Sequence, residues 1–352
     1  MGRIRVLVVE DSLMFRELLV KNLNEHPEIE VVATAKDAFE ARDAIIEYKP
    51  DVMTLDIEMP KMSGLDFLKK LMPQYPMPVV MISALSDKVF DAMQAGAVDF
   101  VEKPTTSSRE EIQEFIQVHL PEKIMIASKA KLPHLKNPLS KRIITDEDRE
   151  KILPKKKLSS KDDLIIAIGA STGGTEATTH LLQGFDKDVP GIVIVQHMPK
   201  GFTEMYANRL NQICRIDVKE AKAGDIVMPG TAYIAPGGDS HMELVKVNGT
   251  YQISIKKAPK VNGHCPSVEV LFRSVAKAAK DKAIGIILTG MGGDGAEGLL
   301  EMRKAGARTI GQDEKSCVVY GMPKVAYEIG AVEYQETIMD ISKKTYQLLH
   351  KM

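Results

Sequence analysis

Short apolar runs alternate strictly with segments of helical spacing over the first hundred residues, and this alternation constrains the fold more than any other feature. The apolar runs are residues 4–9, 31–35, 52–55, 79–82 and 98–101. The segments with helical spacing lie between them, at residues 15–23, 38–48, 64–71 and 87–95. Such alternation is typical of a parallel sheet with helices on both faces. We therefore predict a doubly wound α/β domain in this half of the chain.

The second half of the chain shows the same class of pattern, with longer intervals between its elements. The predicted strands are residues 164–168, 191–195, 283–288, 308–311 and 331–333. The predicted helices are residues 175–182, 267–280 and 297–305. Two shorter β segments, 231–235 and 251–255, indicate a β-rich insertion around residues 225–257. A second α/β domain with a parallel sheet is the predicted fold.

A length of 352 residues favours two domains, and the pattern breaks down between the two halves. We place a first domain at residues 1–125, an interdomain linker at 126–161 and a second domain at 162–352. An amphipathic helix over 107–130, which Pro121 could interrupt, leads into the linker. Within the linker we expect one short helix over 145–152. The basic run at 155–157 could contact an acidic partner, but a solvated linker explains it better.

Composition narrows the function classes. The formal net charge is -1, so the chain has no basic signature for nucleic-acid or membrane-surface binding. Three widely spaced cysteines without a C-x-x-C pair are typical of reduced thiols rather than of a disulfide framework. No apolar window approaches the length of a membrane span, and the first residues do not resemble a signal peptide. We expect a soluble cytoplasmic protein without membrane insertion.

Polar residues that follow the strands of the first domain form a candidate phosphorylation site. If strands one and three are neighbours, Glu10, Asp11 and Asp56 converge, and three unpaired carboxylates require a cation such as Mg²⁺. Asp56 could then attack a phosphoryl donor, while Ser83 binds the phosphoryl group and Lys103 neutralises its charge. Any one of these carboxylates alone is better explained as a solvated cap. The set is more informative, because its members terminate different predicted strands.

These residues resemble the receiver domain of two-component response regulators over residues 4 to about 120. The matching motifs are Glu10-Asp11, Asp56 followed by Met59-Pro60, Ser83-Ala84 and Lys103-Pro104. The resemblance implies a flavodoxin-like fold with Asp56 as phosphoacceptor and a histidine kinase as phosphodonor. It also implies an Mg²⁺ site at Glu10, Asp11, Asp56 and the backbone carbonyl of Glu58. Ser83 and Phe100 occupy the family's switch positions.

In the second domain, three polar residues follow three predicted buried strands: Ser171, His197 and Asp294. Ser171 lies in a glycine-rich turn that leads into a helix, which suits a nucleophilic hydroxyl. If the three strands are close in the sheet, the side chains form a nucleophile, a base and an orienting carboxylate. The glycines around Met291 make that loop a candidate oxyanion hole.

The same residues allow other interpretations. Glycine-rich turns often bind phosphates, so a nucleotide-binding cleft explains the spacing about as well as a triad does. Asp294 could simply cap the helix that begins near Ala296. His180, His241 and His264 compete with His197 as the base; we expect His180 on the surface and His241 near the same cleft. Spacing alone leaves these alternatives open.

Residues from about 163 to 345 resemble the catalytic domain of the chemotaxis protein-glutamate methylesterases. The matching stretches are residues 169–174, 196–199, 233–237, 288–295, 312–313 and 320–323. A receiver followed by this domain is that family's own architecture. The resemblance implies a triad of Ser171, His197 and Asp294, a backbone oxyanion contact from Met291, and Thr172 beside the nucleophile. Cys265 stands where we expect arginine in many members, which could alter substrate contacts.

The resemblance implies hydrolysis of glutamate methyl esters on the cytoplasmic domains of chemoreceptors, with no cofactor for the ester step. Deamidation of receptor glutamines is a further family activity. A chemotaxis histidine kinase would supply the phosphoryl group. The competing class is a non-enzymatic regulator, such as a transcription factor. The sequence contains no helix-turn-helix signature or basic recognition helix that would favour it.

Overall fold

The computed structural model describes residues 2–84, 86–104, 108–132 and 163–352. The chain divides into two compact units, Met1–Ser140 and Lys141–Met352, each with its own sheet. The expected helix over 145–152, the basic run and the predicted boundary near Lys161 lie outside the described residues.

The first unit is built on a five-stranded parallel sheet in the order β2-β1-β3-β4-β5. Its strands are β1 (Ile4–Val9), β2 (Ile29–Ala35), β3 (Val52–Asp56), β4 (Val79–Ser83) and β5 (Asp99–Glu102). This order confirms the predicted doubly wound, flavodoxin-like class. Strands β1 and β3 are neighbours, with Val9 in register with Leu55. The residues that follow them therefore emerge side by side.

The helices of this unit begin where the sequence supplies capping side chains. They are α1 (Leu13–Glu25), α2 (Ala38–Tyr48), α3 (Gly64–Leu71), α4 (Lys88–Gln94), α5 (Arg109–Glu114) and α6 (Leu120–Ala127). Ser12, Asp37 and Ser63 each accept a hydrogen bond from the first turn of the helix that follows. The predicted helix over 107–130 is interrupted, though not by Pro121. A π-helical turn, Phe115–His119, separates α5 from α6, and Pro121 lies in the first turn of α6, where proline is tolerated.

The second unit is built on a seven-stranded parallel sheet in the order β14-β13-β12-β6-β7-β9-β8. These strands are β6 (Ile165–Ala170), β7 (Gly191–Gln196), β8 (Asp217–Glu220), β9 (Thr231–Ile234), β12 (Ala283–Ile287), β13 (Arg308–Gln312) and β14 (Tyr334–Glu336). An antiparallel hairpin, β10 (Ser240–Val247) and β11 (Thr250–Lys257), stands apart from this sheet. The helices are α7 (Gly174–Gln183), α8 (Phe202–Ile213), α9 (Val268–Ala279), α10 (Ala296–Lys304), α11 (Met322–Glu328) and α12 (Ile338–Leu349). The α/β class is confirmed.

Two predicted β features differ from the structure. The β-rich insertion is confined to the hairpin, because residues 231–234 join the main sheet as β9 and pair with β7. The predicted strand at 331–333 is wrong: the strand is Tyr334–Glu336. Val332 packs over Gly311 of β13, where a Cβ would lie 2.7 Å from its side chain. Its apolar character therefore reflects core packing rather than strand pairing.

Helix α9 packs closely on β6 and thereby sets the position of its own first residues. Ile165 and Ala167 of β6 share a buried cluster with Phe272 of α9. A Cβ at Gly169 would lie 2.2 Å from Cγ1 of Val268, so only glycine permits this approach. The N-terminus of α9 consequently lies at the carboxyl end of β6. Within the described ranges, no helix is long and apolar enough to cross a membrane.

Helix α7 contains a carboxyl group whose protonation should make stability depend on pH. Burial raises the pKa of Glu176 from 4.5 to about 7, although the charge of Arg209 opposes the rise. The ionised carboxylate is therefore disfavoured in the folded chain, and above pH 7 it costs about 3 kcal/mol. We expect Glu176→Gln to raise the free energy of unfolding by up to this amount at pH 8, and to change it little at pH 4.

Urea denaturation of the second unit at the two pH values measures this effect. Glu204→Gln, at an exposed glutamate of α8, is the matched control and should leave the pH dependence unchanged. Equal gains for Glu176→Gln at pH 4 and pH 8 would contradict the explanation, because a change unrelated to ionisation has no pH dependence.

Candidate active site

The three candidate catalytic residues of the second unit follow three adjacent strands. Strand β6 lies between β12 and β7 in the sheet. Ala170 at the end of β6 is in register with Gln196 at the end of β7, so Ser171 and His197 follow at matching positions. Neighbouring strands lie ~4.8 Å apart. The loop after β12 brings Asp294 to the same edge, and the predicted convergence of the three residues is observed.

Ser171 is held in a tight turn between β6 and α7. Its N–H donates to the Thr289 carbonyl at 3.0 Å, and its own carbonyl accepts from the Gly174 N–H at 2.7 Å. Gly173 has a φ of 77°, a conformation that favours glycine, and α7 begins at the next residue. The side chain is 7% exposed. The serine is therefore fixed beside the first turn of a helix.

His197 is oriented by Asp294 through one ring nitrogen. Nε2 lies 2.9 Å from Oδ2 of Asp294. Because a carboxylate only accepts hydrogen bonds, this contact places the ring proton on Nε2. Nδ1 is buried and has no hydrogen-bond partner among the described residues. It is the ring nitrogen available to take a proton from Ser171, since contacts between nucleophile and base often form only when substrate is bound.

Among the described residues, Asp294 accepts hydrogen bonds from five donors, and it is only 2% exposed. The donors are the His197 ring at 2.9 Å, Val268 N at 2.7 Å, Ser267 Oγ at 2.8 Å, Asn262 Nδ2 at 3.0 Å and Glu269 N at 3.3 Å. Burial alone would raise its pKa, but the bonds from His197, Asn262 and Ser267 lower it from 3.8 to about 2. The carboxylate is thus ionised at any physiological pH.

The alternative interpretation of Asp294 as the cap of the helix that begins near Ala296 is wrong. The helix that begins at Ala296, α10, has Gly295 as its N-cap and receives no side-chain cap. Asp294 instead accepts from the first two N–H groups of α9. One carboxylate therefore both accepts from the first turn of α9, whose N-cap is Ser267, and orients His197.

The three competing histidines have different environments. His180 is buried, so its prediction as a surface residue is wrong; it faces inward on α7. His241 is also buried, with Nε2 2.9 Å from the Pro259 carbonyl and Nδ1 accepting from the Ser267 N–H. His264 stacks on His197 with ring centroids 3.7 Å apart and an interplanar angle of 15°. An open cleft of about 610 Å³ beside Asp294 is lined in part by His264, Asn262 and Val325.

The remaining predicted site residues of this unit lie at the same edge. Thr172 is buried, and its carbonyl accepts from Thr289 Oγ1 at 3.0 Å. Met291 is 38% exposed in the loop after β12, which turns at Gly292 with a φ of 78°. The role of Met291 as an oxyanion donor stays a prediction. Three further residues at this edge, Asn262, Ser267 and Gln196, are not predicted from the sequence, and only Gln196 has a sequence signal, its position next to His197.

The carboxylates of the first unit also converge. Ligand oxygens of Glu10, Asp11 and Asp56 all lie within 4.8 Å of one another. Lys103 Nζ contacts both oxygens of Glu10 at 3.0 Å and Oδ2 of Asp56 at 2.8 Å. Burial and the charge of Asp56 raise the pKa of Glu10 to about 7, although Lys103 opposes the rise. One lysine does not offset three carboxylates, so the cluster fits a divalent cation with oxygen ligands.

The remaining predicted site residues of the first unit are Glu58, Ser83 and Phe100. The Glu58 N–H donates to Oδ1 of Asp56 at 3.0 Å, and its side chain is exposed, which leaves only its backbone near the carboxylates. Ser83 is buried, and its hydroxyl donates to the Ala84 carbonyl at 2.7 Å. Phe100 is buried in β5. Switch roles for Ser83 and Phe100 stay predictions.

Comparisons with known proteins agree with both units. A family model described as CheB methylesterase matches residues 166–345, and one described as response regulator receiver domain matches residues 6–117. A protein-glutamate methylesterase/protein-glutamine glutaminase 2 of Syntrophomonas wolfei is 56% identical, over 99% of this chain and 99% of that protein. A protein-glutamate methylesterase/protein-glutamine glutaminase of Escherichia coli O6:K15:H31 is 49% identical, over 100% of this chain and 98% of that protein.

The crystal structure of the Thermotoga maritima CheB methylesterase catalytic domain superposes with a TM-score of 0.52 at 39% identity. It covers 54% of this chain and 100% of that domain. Sequence relatives match the chain over its full length, and the catalytic-domain structure matches the second unit. The chain therefore belongs to the CheB methylesterase family of enzymes and carries a response regulator receiver domain ahead of its methylesterase domain.

Proposed function

We propose that this chain hydrolyses glutamate methyl esters on the cytoplasmic domains of chemoreceptors, giving glutamate and methanol, and that phosphorylation of Asp56 activates it. The observation that supports the proposal most strongly is the orientation of the His197 ring. Asp294 binds Nε2, and Nδ1 has no hydrogen-bond partner within the described part of the chain, at the strand end that holds Ser171. A cytoplasmic enzyme of this kind would serve adaptation in chemotaxis. It has no nucleic-acid partner in this scheme.

The proposed reaction is acyl transfer in two steps. Ser171 Oγ attacks the ester carbonyl while His197 Nδ1 takes its proton, and the tetrahedral intermediate then expels methoxide, which leaves as methanol with that proton. The product is a glutamyl ester of Ser171. Water then attacks this ester, again losing a proton to His197, and glutamate leaves as Ser171 recovers its proton. Asp294 stabilises the imidazolium in both steps, and no cofactor takes part.

The proposed oxyanion donors lie on both sides of the nucleophile. The Met291 backbone N–H and the backbone around Thr172, at the start of α7, would bind the developing negative charge. Glutamine deamidation follows the same route with ammonia as the leaving group, and we include it in the proposal. Both relatives described above carry the double name methylesterase/glutaminase.

The proposed control site is the cluster of carboxylates in the receiver domain, Glu10, Asp11 and Asp56. A chemotaxis histidine kinase donates the phosphoryl group to Asp56, and Lys103 and Ser83 bind its oxygens. Glu10, Asp11, Asp56 and the Glu58 carbonyl would hold Mg²⁺, which neutralises the charge that gathers there. In this proposal the unphosphorylated receiver keeps the esterase in a less active state, and phosphorylation shifts the population to a more active one.

Methanol release from methylated receptor membranes tests the proposal, with and without a small phosphodonor and Mg²⁺. Stimulated release would support both the ester chemistry and the control by the receiver. Release without stimulation would retain the triad and refute the coupling. If folded, phosphorylated protein released no methanol in either condition, a binding function for the second unit would replace the proposed activity.

The Asp56→Asn variant isolates the control step. We expect it to lose all stimulation by the phosphodonor, because an amide is not a nucleophile for phosphoryl transfer. Methanol release at several phosphodonor concentrations measures this. Asp43→Asn, at an exposed carboxylate of α2, is the matched control and should respond as the wild type does. A normal response of Asp56→Asn would place the switch elsewhere.

A further inference from the structure

Gln196 occupies the last position of β7, between the candidate nucleophile and base, and is 2% exposed. Its Nε2 donates to the Ser171 carbonyl at 2.9 Å and to the His197 carbonyl at 3.3 Å. One side-chain amide thus bridges the main chain of both residues. The contact to Ser171 crosses from β7 to the turn after β6, where the strand ladder has ended.

The orientation of this amide follows from its partners. Both are carbonyl oxygens, which only accept hydrogen bonds, so the NH₂ group must face them. The other end, Oε1, is buried and has no hydrogen-bond partner among the described residues. A buried carbonyl oxygen without a hydrogen-bond partner destabilises the folded chain. The side chain therefore keeps this orientation although its Oε1 atom makes no hydrogen bond with the described residues.

The first residue of α7 provides the space that this arrangement needs. A Cβ at Gly174 would lie 2.3 Å from Oε1 of Gln196 and 2.7 Å from the Ala170 side chain. The Gly174 N–H also donates to the Ser171 carbonyl, which thus accepts from both Gly174 and Gln196. Glycine at position 174 therefore allows the Gly174 N–H and the Gln196 amide to donate to the same carbonyl oxygen, that of Ser171.

We propose that Gln196 is a positioning residue that holds the turns of Ser171 and His197 in a fixed relative position, and that residue 174 is glycine because a larger residue would collide with the Gln196 side chain. The backbone of the His197 turn contacts the end of β6 through the His197 N–H, which donates to the Ala170 carbonyl at 3.0 Å. The amide ties the carbonyls of Ser171 and His197 together past that point. A small displacement of nucleophile against base lowers the rate strongly.

The inference rests on the proposed roles of Ser171 and His197, and two variants test it. Gln196→Met keeps the length of the side chain but cannot donate, and Gln196→Glu keeps its shape but presents an acceptor to two carbonyls. We expect both to lower kcat about 10- to 100-fold with little change in KM. Gln252→Met and Gln252→Glu, on the hairpin, are matched controls and should match the wild type.

Two readouts separate positioning from general damage to the fold. Titration with a serine-reactive fluorophosphonate counts competent sites, so that a loss of folded protein is not mistaken for a lower kcat per site. NMR of the His197 ring reports whether the proton on Nε2 remains bonded to Asp294. We expect the ring signal to change in both Gln196 variants and the thermal unfolding of Gln196→Met to stay near that of the wild type.

Unchanged kcat per titrated site with an unchanged ring signal in Gln196→Met would overturn the inference. A lower count of sites with normal kcat would also overturn it, since the amide would then serve folding alone. Failure of the proposed function gives a different result: wild-type protein would release no methanol. The ring signal of His197 would then still show whether Gln196 positions it.

Discussion

Replacement of Ser171 with alanine is expected to abolish methyl ester hydrolysis. Loss of a serine nucleophile in an established triad enzyme lowers kcat on the order of 10⁶-fold, and the residual rate comes from binding and the oxyanion donors. We expect a fall of similar size here, which puts methanol release below detection. Folding and phosphorylation of Asp56 should be unaffected, because the Ser171 backbone makes the contacts that hold its turn.

The Ser171→Ala experiment compares methanol release by the variant and wild type on the same methylated membranes, after both have been phosphorylated. Ser254→Ala, at a partly exposed serine of the hairpin, is the matched control and should retain full activity. Circular dichroism and phosphoryl incorporation establish that the inactive variant is otherwise intact. Substantial turnover by Ser171→Ala would refute the assignment of the nucleophile.

Asp294→Asn is expected to damage both activity and stability. The five groups that bind Asp294 in the described part of the chain are all hydrogen-bond donors, so the NH₂ group of asparagine would meet at least one donor. With the imidazole no longer held in its tautomer, we expect kcat to fall about 10⁴-fold. The buried conflict between donors should lower the free energy of unfolding by about 1–3 kcal/mol.

The pH dependence gives this prediction a further check. Because the pKa of Asp294 is lowered to about 2, its ionised form stabilises the folded chain above pH 4, and that contribution disappears as the pH falls towards 2. The stability difference between wild type and Asp294→Asn should follow the same course. Asp281→Asn, at an exposed aspartate, is the control. A kcat within tenfold of the wild type would show that His197 does not depend on Asp294 for its orientation.

The sequence predicted the strands that carry the site, because buried parallel strands are nearly continuous apolar runs. Such runs identify β6, β7 and β12 but do not specify the order of these strands in the sheet. The adjacency of the three strands, on which the site depends, therefore stayed conditional until the structure gave it. Apolar residues packed between elements produce the same signal as a strand, and Val332 shows the resulting error.

The support around the candidate triad could not be predicted in the same way. Ser267 and Asn262 reach Asp294 from positions 27 and 32 residues away, and no local pattern distinguishes them from other polar loop residues. The burial of His180 depends on which side of α7 meets the sheet. The raised pKa of Glu176 likewise follows from tertiary burial, which its neighbours in the sequence do not specify.

The two sites are completed at different points along the chain. The carboxylate cluster of the first unit needs residues only as far as Lys103, 93 positions after Glu10, whereas the candidate triad is complete only at Asp294, 97 positions after His197. A ribosome makes the receiver first, and units with separate cores fold largely in order of synthesis. The proposed inhibitor is therefore present in every nascent chain before the esterase exists. In this order of synthesis, the esterase is completed only after its proposed regulator.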